Sequence, residues 1–209
     1  MSDLVSVEAP EDETGLYDEP PEMLARDLWT GARLFTAAAA FFFLTFVFAF
    51  FYLRSLNSNG QWRPHGINPP TGWGVGVLAC IAASVVIYWV AVRLYVEPRW
   101  RMLSVLSLGL GLAAVVIQCV EWAAMSWGPT NGGYASVFIG WTGFYVFVLL
   151  GALYWMETLV AESWRDSRGS AEAEARAVVR RANADALALF WSFLGLVEIA
   201  AFVTLYLVA

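Results

Sequence analysis

Apolar positions along this chain follow neither a strand alternation nor a single helical stripe. They gather into five runs with little or no charge, separated by short polar segments. The clearest run, Tyr134 to Trp155, reads YASVFIGWTGFYVFVLLGALYW and carries no charge over 22 residues. As a helix rising about 1.5 Å per residue it spans roughly 33 Å, enough to cross a hydrocarbon core about 30 Å thick. Tyr134 and Phe138 mark one end and Tyr154 and Trp155 the other, as interfacial aromatic belts require. The same pattern predicts spans at about 28–53, 71–95, 102–125, 134–160 and 186–208. The expected fold is therefore all-α: a polytopic membrane protein built as a bundle of five transmembrane helices.

The connecting segments read as loops. Ser55 to Pro70 holds Asn57, Asn59, Gly60, Pro64, Pro69 and Pro70, which break a helix. Glu97 to Arg101 reads as a tight basic turn, and Trp127 to Gly133 as a short uncharged loop. Glu162 to Asp185 changes character, with five arginines and an alanine-rich stretch from Ala171. A short, partly helical surface segment is expected there, supported by pairs such as Glu172 and Arg176. Residues 1–27 read as a disordered, acidic cytoplasmic tail, with an interfacial turn beginning near Pro21.

Composition agrees with the membrane reading and corrects a first impression of charge. Apolar residues make up 59% of the chain and the mean hydropathy is +0.60, too apolar for a soluble fold of this size. The net charge is −6, yet nine of the eighteen acids precede Leu28: Asp3, Glu8, Glu11, Asp12, Glu13, Asp18, Glu19, Glu22 and Asp27. The acidity thus belongs to the tail. An acidic N-terminus is the reverse of a basic signal-peptide n-region, so no cleavable signal is expected. Arg26, Arg33, Arg93, Arg99, Arg101 and the loop arginines fall on the tail side, against only Arg54 and Arg63 on the other. Positive charge collects inside, which predicts the N-terminus inside and the C-terminus outside. No basic stripe favours nucleic acid.

Several residues within the spans invite a role. Gly72, Gly76, Cys80 and Ser84 recur at four-residue steps, giving a smooth face for close helix packing, and Ser107 and Gly111 form a second small pair. Cys80 and Cys119 both lie in apolar runs and read as buried thiols outside any disulfide framework. The one histidine, His65, sits in a Pro-rich loop, which excludes a bis-His haem or a three-His metal centre within this chain. Three acids lie at or near membrane depth: Glu121, Glu157 and Glu198. Each must face protein, face water or hold a proton. Glu121, with Gln118 three residues back, reads as structural, and Glu157 as interfacial. Glu198 reads as a structural hydrogen-bonding group to Thr, Ser or Gln, with a proton-relay or ion site as the sharper alternative.

Taken together these spans resemble subunit III of the haem–copper (cytochrome c) oxidases, in a divergent five-helix bacterial form. Thr142, Gly143 and Phe144, with Gly151 beyond them, resemble that family's Thr-Gly-Phe-His signature helix. Gln118 to Trp122 (QCVEW) is similar to its Gln-x-x-Glu-aromatic element. Phe190, Trp191 and Phe193, followed by Phe202 and Tyr206, resemble its closing helix, and Phe48 to Tyr52 before Trp62 and Pro64 also fits. Tyr145 and Val148 stand where the family has histidines, Ser192 and Gly195 where it has His and Asp, and Ala40 where it has a buried acid.

The resemblance implies an accessory, non-catalytic subunit of a respiratory terminal oxidase in a bacterial plasma membrane. It implies contacts with catalytic subunit I and subunit II, which hold the haem and copper, while this chain binds phospholipid and no redox cofactor. Bracing the catalytic subunit and supporting proton uptake are the roles it would bring. Thr142, Gly143 and Gly151 join the packing residues on this basis. Two other readings remain open: the companion subunit of a bacterial nitric oxide reductase, and a small proton-coupled carrier using Glu198.

Overall fold

A backbone segment that leaves water must satisfy its N–H and C=O groups within itself, so long apolar runs fold as helices. The computed structural model describes residues 20–57, 60–95, 97–165 and 171–208. Five helices account for most of them: α1 (Pro21–Ser55), α2 (Thr71–Leu94), α3 (Glu97–Ala124), α4 (Gly133–Arg165) and α5 (Ala171–Phe202). The last of these continues as one π-helical turn over Val203–Leu207. No strand occurs among the described residues. All five helices are long and apolar enough to cross a membrane.

The short connection between α2 and α3 makes them a hairpin, and they form the most extensively packed pair. Helix α5 packs against α1, α2 and α4, while α3 and α4 close the remaining side. The core gathers where these helices meet, around Trp141, Tyr145, Leu149, Met156, Trp191 and Leu194. Five successive antiparallel helices place the start of α1 and the end of the π-helical turn at opposite ends of the bundle. Accordingly Arg54, at the far end of α1, donates from Nη1 to the Val208 carbonyl at 2.7 Å.

The helices outrun the apolar windows that predict them. Helix α1 starts at Pro21 instead of near Leu28, with proline at the first helical position, where its missing N–H costs nothing. The basic segment Glu97 to Arg101 is not a turn but the first residues of α3. The chain reverses beside Tyr95 instead, whose φ of +28° is unusual for a residue with a side chain. Its ring is held against Trp100, 5.6 Å between centroids, and under the Arg181 guanidinium at 4.3 Å. The arginine-rich surface segment is likewise absorbed, because α4 runs to Arg165 and α5 begins at Ala171. Ser163, Arg180 and Ala184 are buried there. The side chain of Glu172, and with it the expected Glu172–Arg176 pair, lies outside what the structure describes, as does the tail up to Glu19.

Candidate functional site: polar groups inside the bundle

Polar side chains within a membrane helix are held by other polar groups or stay costly, so their partners define what the bundle core does. The first cluster ties α2, α3 and α5. Ser84 Oγ lies 2.7 Å from the Ser107 carbonyl and Ser107 Oγ lies 2.9 Å from the Ser84 carbonyl, with the two hydroxyl oxygens 2.8 Å apart. Trp191 on α5 then donates from Nε1 to Ser84 Oγ at 3.1 Å. Both serines are fully buried. The tryptophan fits because α3 has glycine at 111: a Cβ there would stand 3.2 Å from the Trp191 ring and 2.6 Å from Leu153.

A second cluster lies toward the C-terminal end of the bundle. Glu121 on α3 is fully buried and accepts two hydrogen bonds, from Gln118 Nε2 at 2.5 Å and from Tyr206 Oη at 2.7 Å. Next to it Trp122 donates from Nε1 to Thr142 Oγ1 at 3.1 Å, and Thr142 donates back to the Phe138 carbonyl of its own helix. Tyr206 stands in the π-helical turn, which shifts the last residues of α5 out of α-helical register. Within that turn the Leu205 carbonyl receives the Tyr134 hydroxyl at 2.7 Å. The Tyr206 ring passes so close to Gly74 of α2 that a Cβ would meet it at 2.6 Å.

Glu198 differs from both clusters. It is 5% exposed, yet among the described residues its carboxyl makes no hydrogen bond. The expected bond to a Thr, Ser or Gln is therefore absent among the described residues. Tyr145 spends its own hydroxyl on the Leu194 carbonyl at 3.2 Å. Two further donors close the other end: Trp89 to Ser192 Oγ at 2.5 Å and Trp155 to Asn183 Oδ1 at 2.8 Å.

The remaining predicted residues are scattered. Glu157 is exposed on α4, in line with Phe147, Leu150 and Tyr154, so the structure does not draw it into either cluster. His65 is exposed in the α1–α2 connection, at the lip of an 820 Å³ cavity also lined by Trp62, Trp127 and Asn131. Cys119 is exposed, unlike the buried thiol expected, and Cys80 is partly covered. Among the described residues no three His, Cys, Asp or Glu side chains converge as metal ligands.

The small-residue face is redistributed. Ser84 takes part in the first cluster, and a Cβ at Gly76 would rest 3.5 Å from Ile117, an ordinary contact. At Gly72, Gly143 and Gly151 a Cβ would meet nothing within 4 Å, so among the described residues nothing packs closely on these three. The tight approaches occur instead at Gly74, Gly111 and Gly195, the last 3.0 Å from Val85. Of these only Gly111 had a signal in the sequence, as the partner of Ser107. Tyr206 and Tyr134 had none as polar partners, since their contacts span 85 and 71 residues.

A family profile described as cytochrome c oxidase subunit III matches residues 12–209. The chain is 27% identical over 194 residues to cytochrome c oxidase subunit 3 of Ornithorhynchus anatinus, covering 88% of this chain and 71% of that protein. It is 32% identical over 133 residues to the subunit of Struthio camelus, covering 59% of this chain and 51% of that protein. The subunit of Latimeria chalumnae is 25% identical over 190 residues, covering 87% of this chain and 69% of its own length. Several further cytochrome c oxidase subunits 3 are matched over little more than half of their own length.

Proposed function

Because the chain belongs to the cytochrome c oxidase subunit III family, we propose that it braces the catalytic subunit of a respiratory terminal oxidase. Membership makes it a membrane component of the respiratory chain, accessory to electron transport. The finer reading adds partners, lipid and place. Subunits I and II would carry the haem and copper, this chain none, and the assembly would sit in a bacterial plasma membrane.

One observation carries this reading. Two clusters of buried polar groups join helices, through Ser84–Ser107–Trp191 and through Glu121–Tyr206 with Gln118 beside them. Much of the outward surface is apolar: Phe41 and Phe48 on α1 and Phe147 on α4 are each about 70% exposed, with Leu150 and Tyr154 beside them. A rigid bundle with apolar flanks fits a scaffold that packs against other membrane chains and holds acyl chains between them. Gly143 and Gly151, open within this chain, lie near that α4 flank and offer a partner helix a close approach.

Purification of a tagged copy in mild detergent tests this. Co-purification of a haem-containing polypeptide, seen by absorbance, supports the scaffold, and its spectrum separates an oxidase from a nitric oxide reductase. A chain that purifies alone, and gives vesicles whose proton flux is abolished by Glu198→Gln, would establish a carrier instead.

A further inference from the structure

At the N-terminal end of the bundle a cavity of about 600 Å³ opens between α1, α2 and α5. Its walls include Arg26, Trp29, Trp89, Arg93, Arg181 and Asp185. Arg181 is paired with Asp185 at 3.4 Å. Arg93 lies over the Trp89 ring at 4.9 Å instead of against a carboxylate. Among the described residues neither Arg26 nor Arg93 forms an ion pair. Three arginines against one aspartate leave the cavity two positive charges in excess, on walls that are otherwise aromatic and aliphatic.

The sequence supplies a matching counter-charge at the same end. Residues 1–19 hold seven carboxylates, from Asp3 to Glu19, and no lysine or arginine. They also hold Leu16 and Tyr17, two bulky apolar groups beside Asp18 and Glu19. This segment joins the bundle at Pro20, directly before α1. Arg26 is five residues into that helix, about 8 Å along its axis. Eight extended residues, Asp12 to Glu19, reach about 25 Å, well beyond that distance.

We propose that this cavity is the docking site of the chain's own acidic N-terminal segment. Carboxylates from the stretch Glu11 to Glu19 neutralise Arg26 and Arg93, and Leu16 or Tyr17 fills the space between Trp29 and Trp89. Charge-assisted bonds to guanidinium are the strong class of hydrogen bond, and partial removal from water strengthens them. The proposal stands apart from the oxidase reading, since it concerns two parts of one chain.

Pulsed electron resonance on the full chain tests it, with spin labels at Thr14→Cys and Val178→Cys in a Cys80→Ser, Cys119→Ala background. The protein is placed in phosphatidylcholine nanodiscs. At about 0.01 M salt, where charges are felt over roughly 30 Å, a single short and narrow distance is expected. About 1 M salt, which cuts that range to roughly 3 Å, is expected to broaden it. Arg26→Gln with Arg93→Gln is expected to do the same, as is Glu11→Gln with Asp12→Asn and Glu13→Gln. A broad distribution at low salt overturns the proposal, and retention of added phosphatidylglycerol or inorganic phosphate by that protein would then identify the other occupant. A narrow distance indifferent to both sets of substitutions also overturns it, because the segment then sits elsewhere.

Discussion

Tyr206, in the final turn of the last helix, donates its hydroxyl to Glu121 of α3 at 2.7 Å. The bond joins residues 85 positions apart and supplies one of the two donors that a fully buried carboxyl receives. Removing it with Tyr206→Phe keeps the ring against Gly74 and leaves Glu121 with Gln118 alone. A loss of about 1 kcal/mol is expected, the usual size of an interhelical hydrogen bond in a membrane protein. Denaturant titration in detergent micelles measures it, and Gln118→Ala added to Tyr206→Phe should cost more than the two separately if the pair shares the load.

The serine knot makes a similar but distinct prediction. Ser84→Ala strips Trp191 Nε1 of its acceptor and Ser107 of its partner hydroxyl. Leaving a buried donor unsatisfied costs about 1–3 kcal/mol, so this substitution should destabilise more than Tyr206→Phe. The midpoint of thermal unfolding in micelles would rank the two.

Glycine substitutions separate packing within the chain from packing against a partner. Gly74→Ala and Gly111→Ala each bring a Cβ to 2.6 Å from a neighbouring side chain, so the bundle must shift. A loss of about 1–3 kcal/mol is expected from such overpacking. Gly151→Ala meets nothing within 4 Å and should leave the isolated chain as stable as before. Reduced recovery of a co-purifying haem protein with Gly151→Leu would place a partner helix there, and normal recovery would remove it.

Glu198 is buried without a hydrogen-bond donor. Replacing an unpartnered polar group by an apolar one of similar size removes a desolvation cost, so Glu198→Leu should be neutral or stabilising by about 1 kcal/mol. If that variant also leaves the activity of the assembled oxidase unchanged, Glu198 has no part in proton handling. A clear loss of stability would mean that the carboxyl has a partner in the membrane-embedded protein.

The five helices were legible because hydropathy alone separates segments that leave water from those that do not. Their ends were less so. Hydropathy reports where lipid stops, whereas the helix continues through Glu97 to Arg101 and from Ala171 to Asp185, where charged residues propagate it as well as apolar ones. The small-residue face was legible as a pattern but not as an address. Four-residue steps fix which positions share a face, and Gly72 to Ser84 share one, but only tertiary packing brings Gly74 to Tyr206 and Gly111 to Trp191. Gln118 with Glu121 could be read because three residues on a helix are neighbours. Tyr206 could not, since nothing local records a contact through a π-turn from the far end of the chain.

The two polar clusters also differ in when they can first form. Ser84 and Ser107 lie 23 residues apart in one helical hairpin, so each hydroxyl finds the other as soon as that hairpin enters the bilayer. Trp191 is synthesised 107 residues after Ser84, a delay of roughly 5–20 s at ordinary translation rates. Nascent α2 and α3 can therefore leave the insertion machinery with this pair already content. Glu121, by contrast, precedes its tyrosine by 85 residues, so of its two donors only Gln118 is at hand until the last helix emerges from the ribosome.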